Sequence, residues 1–279
     1  MGPQTNDVAV TALIVGCKGQ DGQLLSEHLR GLGDQVIGLD REGLHAARGS
    51  DPVVSIDNFS ALLGAIKRHR PLEVYYLAGY HTSSEKRGAL DPVEEYTQTQ
   101  MIHVRGLVHV LEALRRTGLK ARVFYAASSL LFSGGATPIN ESTPWSPQGF
   151  YGQSKADGLI AGNEYRRRFG LHFVGGYLFN HESRLRPFHF VSQKVTRAAA
   201  LIARGKADRL SLGSLEAVID WSHAEDFVRG FVDVLRNGRS ENYVFASGHG
   251  RSIRELVEVA FGYVGLDWTK YVDVTSANV

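Results

Sequence analysis

Residues 8–16 (VAVTALIVG) make an apolar run of buried-strand length that ends directly in Gly16-Cys17-Lys18-Gly19-Gln20-Asp21-Gly22. An amphipathic stretch follows (Leu24, Leu25, His28, Leu29, Leu32) and stops at Gly33. A second apolar run, 35–39, closes on Asp40. Strand, glycine turn, helix, strand and acid in this order read as a βαβ nucleotide-binding start. Glycines let the backbone approach a pyrophosphate, and a helix N-terminus offers N–H donors and positive potential. An acid at the second strand's end stands where a ribose diol is gripped. Gly16, Gly19, Gln20, Asp21, Gly22, Asp40 and its neighbour Arg41 are therefore expected to hold a dinucleotide.

The alternation continues: helix 59–69, strand 72–77, a long helix 92–117 with Gly118 placed to stop it, strand 121–127, helix 151–169 and strand 171–179. Repeated β-α units argue an α/β fold, a Rossmann-type doubly wound parallel sheet spanning residues 1–179. Ligands bind beyond the strand C-termini in such sheets. Leu77-Ala78-Gly79, Ser128-Ser129 and Asn180 all stand there beside Gly16 and Asp40. After Asn180 the pattern loosens into a helix to about 204, strand 210–212, helix 224–235, strand 242–245 and helix 252–264. These shorter pieces suggest a smaller α/β substrate-binding lobe, 180–279, interwoven with the first domain.

A second constellation lies at Tyr151-Gly-Gln-Ser-Lys155, after the strand end Ser128-Ser129. Tyr and Lys at i and i+4 share a helix face. An ammonium beside a phenol favours the phenolate and brings a group of reference pKa about 10 toward working range. A hydroxyl from Ser128 or Ser129 would hold a substrate oxygen beside that Tyr. The trio suits proton transfer to a carbonyl or an alcohol.

Composition narrows the setting. The chain has 279 residues and a formal charge of +2 with scattered basic residues, so no nucleic-acid groove is implied. No apolar run reaches the ~20 residues needed to span a bilayer. The one cysteine, Cys17, allows no internal disulfide, and the opening residues lack a signal-peptide pattern. The expectation is a cytoplasmic protein with no membrane contact.

With these motifs on the page, the chain resembles the extended short-chain dehydrogenases/reductases: GxxGxxG at Gly16–Gly22, Leu77-Ala78-Gly79, the Ser pair and YxxxK. Within that group it is most similar to the GDP-mannose 4,6-dehydratase family, through GQDG at Gly19–Gly22, LFNHES at Leu178–Ser183, FVSQKVTRA at Phe190–Ala198, DWSHAEDFV at Asp220–Val228 and VGLDW at Val264–Trp268. The resemblance implies that Ser129, Tyr151 and Lys155 are catalytic. It further implies that Tyr151 and Lys155 also contact the cofactor, and that Asn180 and Lys194 meet a nucleotide-sugar diphosphate. Ser128, Tyr80 and His81 are further pocket candidates, ordinary loop packing being the alternative for the last two. No metal is expected.

Departures from the family pattern are informative. Its Ser-Thr-Ser-Glu strand end, whose Glu serves dehydration, is Ser128-Ser129-Leu130-Leu131 here, and an Arg before Asp-Trp is Ile219. The expected activity is an NAD(P)-dependent oxidoreductase at C4 of a nucleotide sugar, a GDP-4-keto-6-deoxyhexose reductase. The alternatives are a 4,6-dehydratase using Glu85 or His81, and a catalytically silent cofactor-binding subunit. Asp40 favours NAD, with NADP the alternative given Arg41. Apolar stripes (Val104, Leu107, Val108, Leu111; Leu159, Ile160) suggest a homodimer or tetramer through helices 92–117 and 151–169.

Overall fold

The computed structural model describes residues 9–45, 54–80, 91–134 and 138–275. The chain divides into two compact units, residues 1–178 with 224–245, and residues 179–223 with 246–279. Unit one begins with β1 (Thr11–Val15), α1 (Gln20–Gly31), β2 (Gln35–Asp40), β3 (Gly43–His45), α2 (Phe59–His69) and β4 (Glu73–Tyr76). It continues through α3 (Pro92–Gln100), α4 (Gly106–Thr117), β5 (Arg122–Ala126), α5 (Gly149–Phe169) and β6 (His172–Leu178). The chain then enters unit two with β7 (Asn180–Glu182), α6 (Val191–Ala203), β8 (Leu210–Leu212) and β9 (Val218–His223). It returns to unit one for α7 (Ala224–Asn237) and β10 (Asn242–Phe245), and ends in unit two with β11 (Gly250–Ser252), α8 (Ile253–Tyr263) and β12 (Val272–Val274).

Unit one is built on a seven-stranded sheet of order β10-β6-β5-β4-β1-β2-β3, parallel except for β3, which runs against β2. The order reverses between β1 and β4, the switch point where such sheets bind ligands. Alternate strand residues serve opposite faces, as the period of two requires. Leu13, Val15, Val74, Tyr76, Val123, Tyr125 and Phe173 join one buried cluster with Leu62 of α2, Leu107 and Leu111 of α4 and Leu159 of α5. On the other face Phe124 stacks on Phe231 of α7 at 4.4 Å, with Phe245 of β10 edge-on at 5.8 Å. Helix starts follow their caps: Asn58 Oδ1 accepts from Ala61 N–H, and Asp91 Oδ1 from Val93 and Glu94 N–H ahead of Pro92.

Unit two has its own core, in which Val195, Ala199 and Ile202 of α6 join Ile253, Val257 and Phe261 of α8. It carries a three-stranded sheet, β11-β9-β7, and the parallel pair β12-β8. A Ser252–Glu255 capping box starts α8.

Three expectations need correction, and five strands were not expected. Residues 224–245 belong with the first unit, because β10 extends the main sheet and α7 covers it. The single helix 92–117 is broken by a π turn, Met101–Arg105. Strands β3, β7, β11 and β12 have three residues each, too few to show alternation, and no residue of the six-residue β9 is fully buried. Leu107, Leu111 and Leu159 are consumed by the unit's own core; the exposed large apolar residues of α3 and α5 are Val93, Tyr96, Ile160 and Phe169.

An ionic knot ties α7 to the strand N-termini. Arg236 donates to Glu73 (Nε–Oε1 2.8 Å) and to Asp34 (Nη2–Oδ2 2.5 Å), whose side chains are each 5% exposed. Tyr75 Oη donates to Glu73 at 2.9 Å, and Val10 N–H to Asp34 at 3.0 Å. Replacing Arg236 with Met strands two buried carboxylates and should lower the unfolding free energy by about 3 kcal/mol or more. Urea titration checks this; a loss below about 1 kcal/mol would mean solvent compensates the acids.

Candidate active site

The glycine turn is shaped by close backbone approach. Gly16 has φ +93°, and a Cβ there would stand 2.7 Å from Ala78 N across the switch point. A Cβ on Gly22 would stand 2.3 Å from Gly16 O, so α1 packs against the turn as only glycine permits. Gly16 N–H donates to Leu39 O at 2.7 Å and Gly19 N–H to Gly16 O at 3.1 Å. The N-cap of α1 is Gly19, which has no side chain to cap the helix, and Gln20 Nε2 donates to Asp21 Oδ1. A helix start behind a turn with no room for side chains leaves space that fits a diphosphate.

Asp40 ends β2. Its Oδ1 accepts from Glu42 N–H at 2.7 Å and meets His45 Nε2 at 3.1 Å, while Oδ2 pairs with Lys18 Nζ at 3.2 Å. Burial raises its carboxyl, but the hydrogen bonds from His45, Glu42 N–H and Lys18 outweigh it and hold the group below the usual range. Burial, then the Asp40 charge, pushes the Cys17 thiol up to about 11. Arg41 is exposed. His45 and Cys17 were not foreseen, because the hairpin that folds β3 back over Asp40 is too short to read.

Beyond β4, Leu77 N–H donates to Val15 O at 2.8 Å and Tyr80 N–H to His103 Nε2 at 2.9 Å. A Cβ on Gly79 would lie 3.7 Å from His103 Nε2 and 3.8 Å from Lys155 Nζ, so these groups converge on the strand end. His81 and Glu85 fall outside the described residues.

Beyond β5, Ser128 is buried and its Oγ accepts from Leu130 N–H at 3.1 Å, capping a 3-10 turn over Ser129–Leu131. Ser129 is half-buried at the turn's start, whereas Leu131 is wholly buried in the apolar cluster. A Cβ on Gly152 would come within 2.7 Å of Leu130 O, so the first turn of α5 lies directly on this turn. That helix brings Tyr151, half-buried, and Lys155, 2% exposed. Lys155 Nζ donates to Ala126 O at 2.7 Å and lies 5.7 Å from the Tyr151 ring centroid. Burial lowers the Lys155 ammonium to about 7, against the Asp21 charge, which raises it.

Asn180 and Lys194 lie in unit two, on β7 and α6, whereas the other described candidates lie in unit one. Asn180 sits opposite Trp221 in the β7–β9 pairing. His181 Nδ1 donates to Phe179 O at 2.8 Å, and Glu182 pairs with Arg186 at 3.4 Å, so both brace their loop. Ile219 packs against that unit's apolar core.

The GDP-mannose 4,6 dehydratase family model matches residues 13–278. GDP-mannose 4,6 dehydratase 2 of Arabidopsis thaliana is 33% identical over 285 residues, covering 94% of this chain and 74% of the relative. The GDP-mannose 4,6-dehydratase of Sinorhizobium fredii (strain HH103) is 36% identical over 275 residues, covering 91% and 76%. Among solved structures, UDP-glucose 4-epimerase of Thermus thermophilus, complexed with NAD, superposes with TM-score 0.78 at 20% identity, covering 95% of this chain and 84% of that one. RMD from Pseudomonas aeruginosa, complexed with NADPH, gives TM-score 0.80 at 22% identity, covering 97% and 87%. The fold is thus the Rossmann-type fold of these enzymes. The chain belongs to the GDP-mannose 4,6-dehydratase family.

The buried Lys155 has a stability signature. In the unfolded chain its amine binds a proton up to about pH 10.4, whereas in the folded chain it releases it near 7. Between these values the unfolded state holds the extra proton, so stability rises with pH, and the full penalty applies below 7. Between pH 6.5 and 9.5 the wild type should gain about 3 kcal/mol on Lys155→Met, measured without added dinucleotide in paired urea titrations. A pH-independent difference would show that the folded amine keeps its proton across this range, as the unfolded one does.

Proposed function

We propose that this chain is an NAD(P)-dependent oxidoreductase of nucleotide sugars, acting at C4 of a GDP-linked hexose as a 4-keto-6-deoxyhexose reductase. The observation that carries the reading is Leu131: the position at which the resemblance expects a Glu is an apolar side chain wholly buried in the core. A bound nicotinamide dinucleotide supplies hydride to a 4-keto carbon. Gly16, Gly19 and Gly22 make room for its diphosphate, the N–H groups that open α1 bind it, and Ala78-Gly79 lie at its edge. Tyr151 gives its phenolic proton to the C4 oxygen, Ser129 holds that oxygen by its hydroxyl, and the Lys155 ammonium favours the phenolate left behind. Asn180 and Lys194 are assigned to the sugar's diphosphate on the resemblance alone, and Tyr80 and Ser128 are substrate-contact candidates of unit one. Self-association through α3 and α5 belongs to the same proposal, on the exposed Val93, Tyr96 and Ile160.

Elimination of the C6 hydroxyl needs, beyond oxidation at C4, a base at C5 and an acid for the leaving oxygen. Such assistance is worth about 10²–10⁴-fold, and neither Leu130 nor Leu131 provides it. Carbonyl reduction needs only Tyr151, Ser129, Lys155 and the cofactor. The purified chain should therefore oxidise NADH when given a GDP-4-keto-6-deoxyhexose, and Tyr151→Phe should abolish nearly all turnover. Incubated with GDP-mannose and either cofactor, it should form no dehydrated product by mass spectrometry. Family membership favours a second reading, a 4,6-dehydratase with its acid/base at Glu85 or His81. Accumulation of a 4-keto-6-deoxy product at an ordinary enzymatic rate would establish that reading instead.

The cofactor assignment is NAD ahead of NADP, since the Asp40 carboxylate opposes a 2′-phosphate and accepts from a ribose diol. Fluorescence titration should give tighter binding of NADH than NADPH, with Asp40→Ala narrowing the difference. Tighter NADPH binding to the wild type would mean that Lys18, His45 and Arg41 dominate Asp40.

A further inference from the structure

Two buried phenols hold the break between α3 and α4. In a π turn one extra residue is inserted and carbonyls lose their regular i+4 donors. Gly106 N–H reaches back to Met101 O, the i+5 pattern. The Ile102 carbonyl accepts from Tyr76 Oη at 2.5 Å, and the His103 carbonyl accepts from Tyr125 Oη at 3.2 Å. Tyr76 and Tyr125 are register partners on β4 and β5. Burial raises both phenols far above their ordinary range, so they remain donors. Glycines clear their way: a Cβ on Gly106 would lie 2.4 Å from the Tyr76 hydroxyl, and one on Gly158 of α5 would lie 2.3 Å from that of Tyr125.

The turn held in this way carries His103, which is wholly buried. A backbone N–H only donates, so the 2.9 Å bond from Tyr80 N–H fixes the lone pair on His103 Nε2. The ring hydrogen is then on Nδ1, 2.8 Å from Ser154 Oγ, and the Ser154 hydroxyl donates to the Tyr151 carbonyl at 3.0 Å. The His103 ring also meets the Tyr151 ring edge-on, centroids 5.2 Å apart and planes at 85°. One imidazole therefore joins the loop after β4 to the first turn of α5.

We propose that His103 is a positioning residue: a neutral, Nδ1-protonated imidazole that, through Tyr80 N–H, Ser154 and the face of Tyr151, fixes the phenol against the cofactor-binding strand end. The kinetic part rests on the reading of Tyr151 as the proton donor; the placement of the hydrogen does not.

The test has two arms on the full chain. In long-range 1H–15N spectra at pH 7, the His103 ring, assigned by its absence in His103→Gln, should be neutral with its hydrogen on Nδ1. A hydrogen on Nε2, or a charged ring, overturns the proposal. In turnover, His103→Phe keeps a ring against Tyr151 and should lower kcat about 10- to 100-fold, while KM and the NADH dissociation constant move less than about threefold. His103→Asn, which retains a donor toward Ser154, should recover part of the loss. Ser154→Ala should lose kcat similarly, and the double variant with His103→Phe no more than the worse single. An unchanged kcat in Ser154→Ala, or multiplied losses in the double variant, overturns the proposal; the Ser154 arm decides if His103→Phe does not fold. If the wild type turns over no nucleotide sugar while the spectrum places the hydrogen on Nδ1, the proposed reaction has failed and the placement of His103 stands.

Discussion

The site depends on backbones brought closer than any side chain would allow. Gly16 meets Ala78 at the switch point, Gly22 sets α1 against the turn, and Gly152 lays α5 on the turn that holds Ser129. Each contact leaves a Cβ less than 3 Å from main-chain atoms, a distance at which packing cannot relax around a methyl group. Three strand ends and two helix starts are thereby fixed to one another before any polar group is considered. The polar groups then have little freedom: Lys155 reaches Ala126 O and Ser128 caps its own turn.

Much of this was legible. The βαβ opening, the alternation through β6 and the Tyr151–Lys155 spacing follow from periods of 2 and 3.6 and from glycines at strand ends. Helix 59–69 and strands 210–212 and 242–245 match the residues read from sequence. What was not legible has no period. The π turn is one inserted residue, and it is held by Tyr76, Tyr125 and Gly158, all distant in sequence, together with the adjacent Gly106. His103 consequently reads as an ordinary helix residue. Residues 224–245 have the pattern of a helix and a strand wherever they dock, so nothing local says that they rejoin the first sheet. The Leu107, Leu111 and Leu159 stripe failed for the opposite reason: an apolar stripe records burial and not which surface buries it.

Leu131 shows how a local pattern separates fold from chemistry. The Ser129–Leu131 turn is capped and packed as a structural unit, and its last side chain joins the core beneath the sheet's end. A carboxylate there would be costly unless paired, whereas leucine adds apolar burial. The substitution leaves the hydroxyl of Ser129 and the pair on α5 in place. Proton transfer to a carbonyl oxygen survives this change; elimination, which needs a further acid and base, loses a candidate.

The two ends of the sheet treat buried charge in opposite ways. At the strand N-termini, Arg236 is matched by Glu73 and Asp34, and their remaining lone pairs take the Tyr75 hydroxyl and Val10 N–H. That arrangement is compensated and anchors α7 to the strand N-termini. At the strand C-termini, Lys155 is buried with a neutral carbonyl as its acceptor, and the largest influence on it is loss of solvent, with Asp21 acting against that loss. Its ammonium is brought to about 7 as a result, where a change in nearby charge moves its protonation most steeply. The compensated charges stand at the end away from the glycine turn, and the desolvated one stands beside the phenol. A neutral His103 on that phenol's other side completes the logic: a second cation there would raise the cost of keeping Lys155 charged, whereas a fixed neutral imidazole orients Tyr151 and leaves its electrostatics to Lys155 alone.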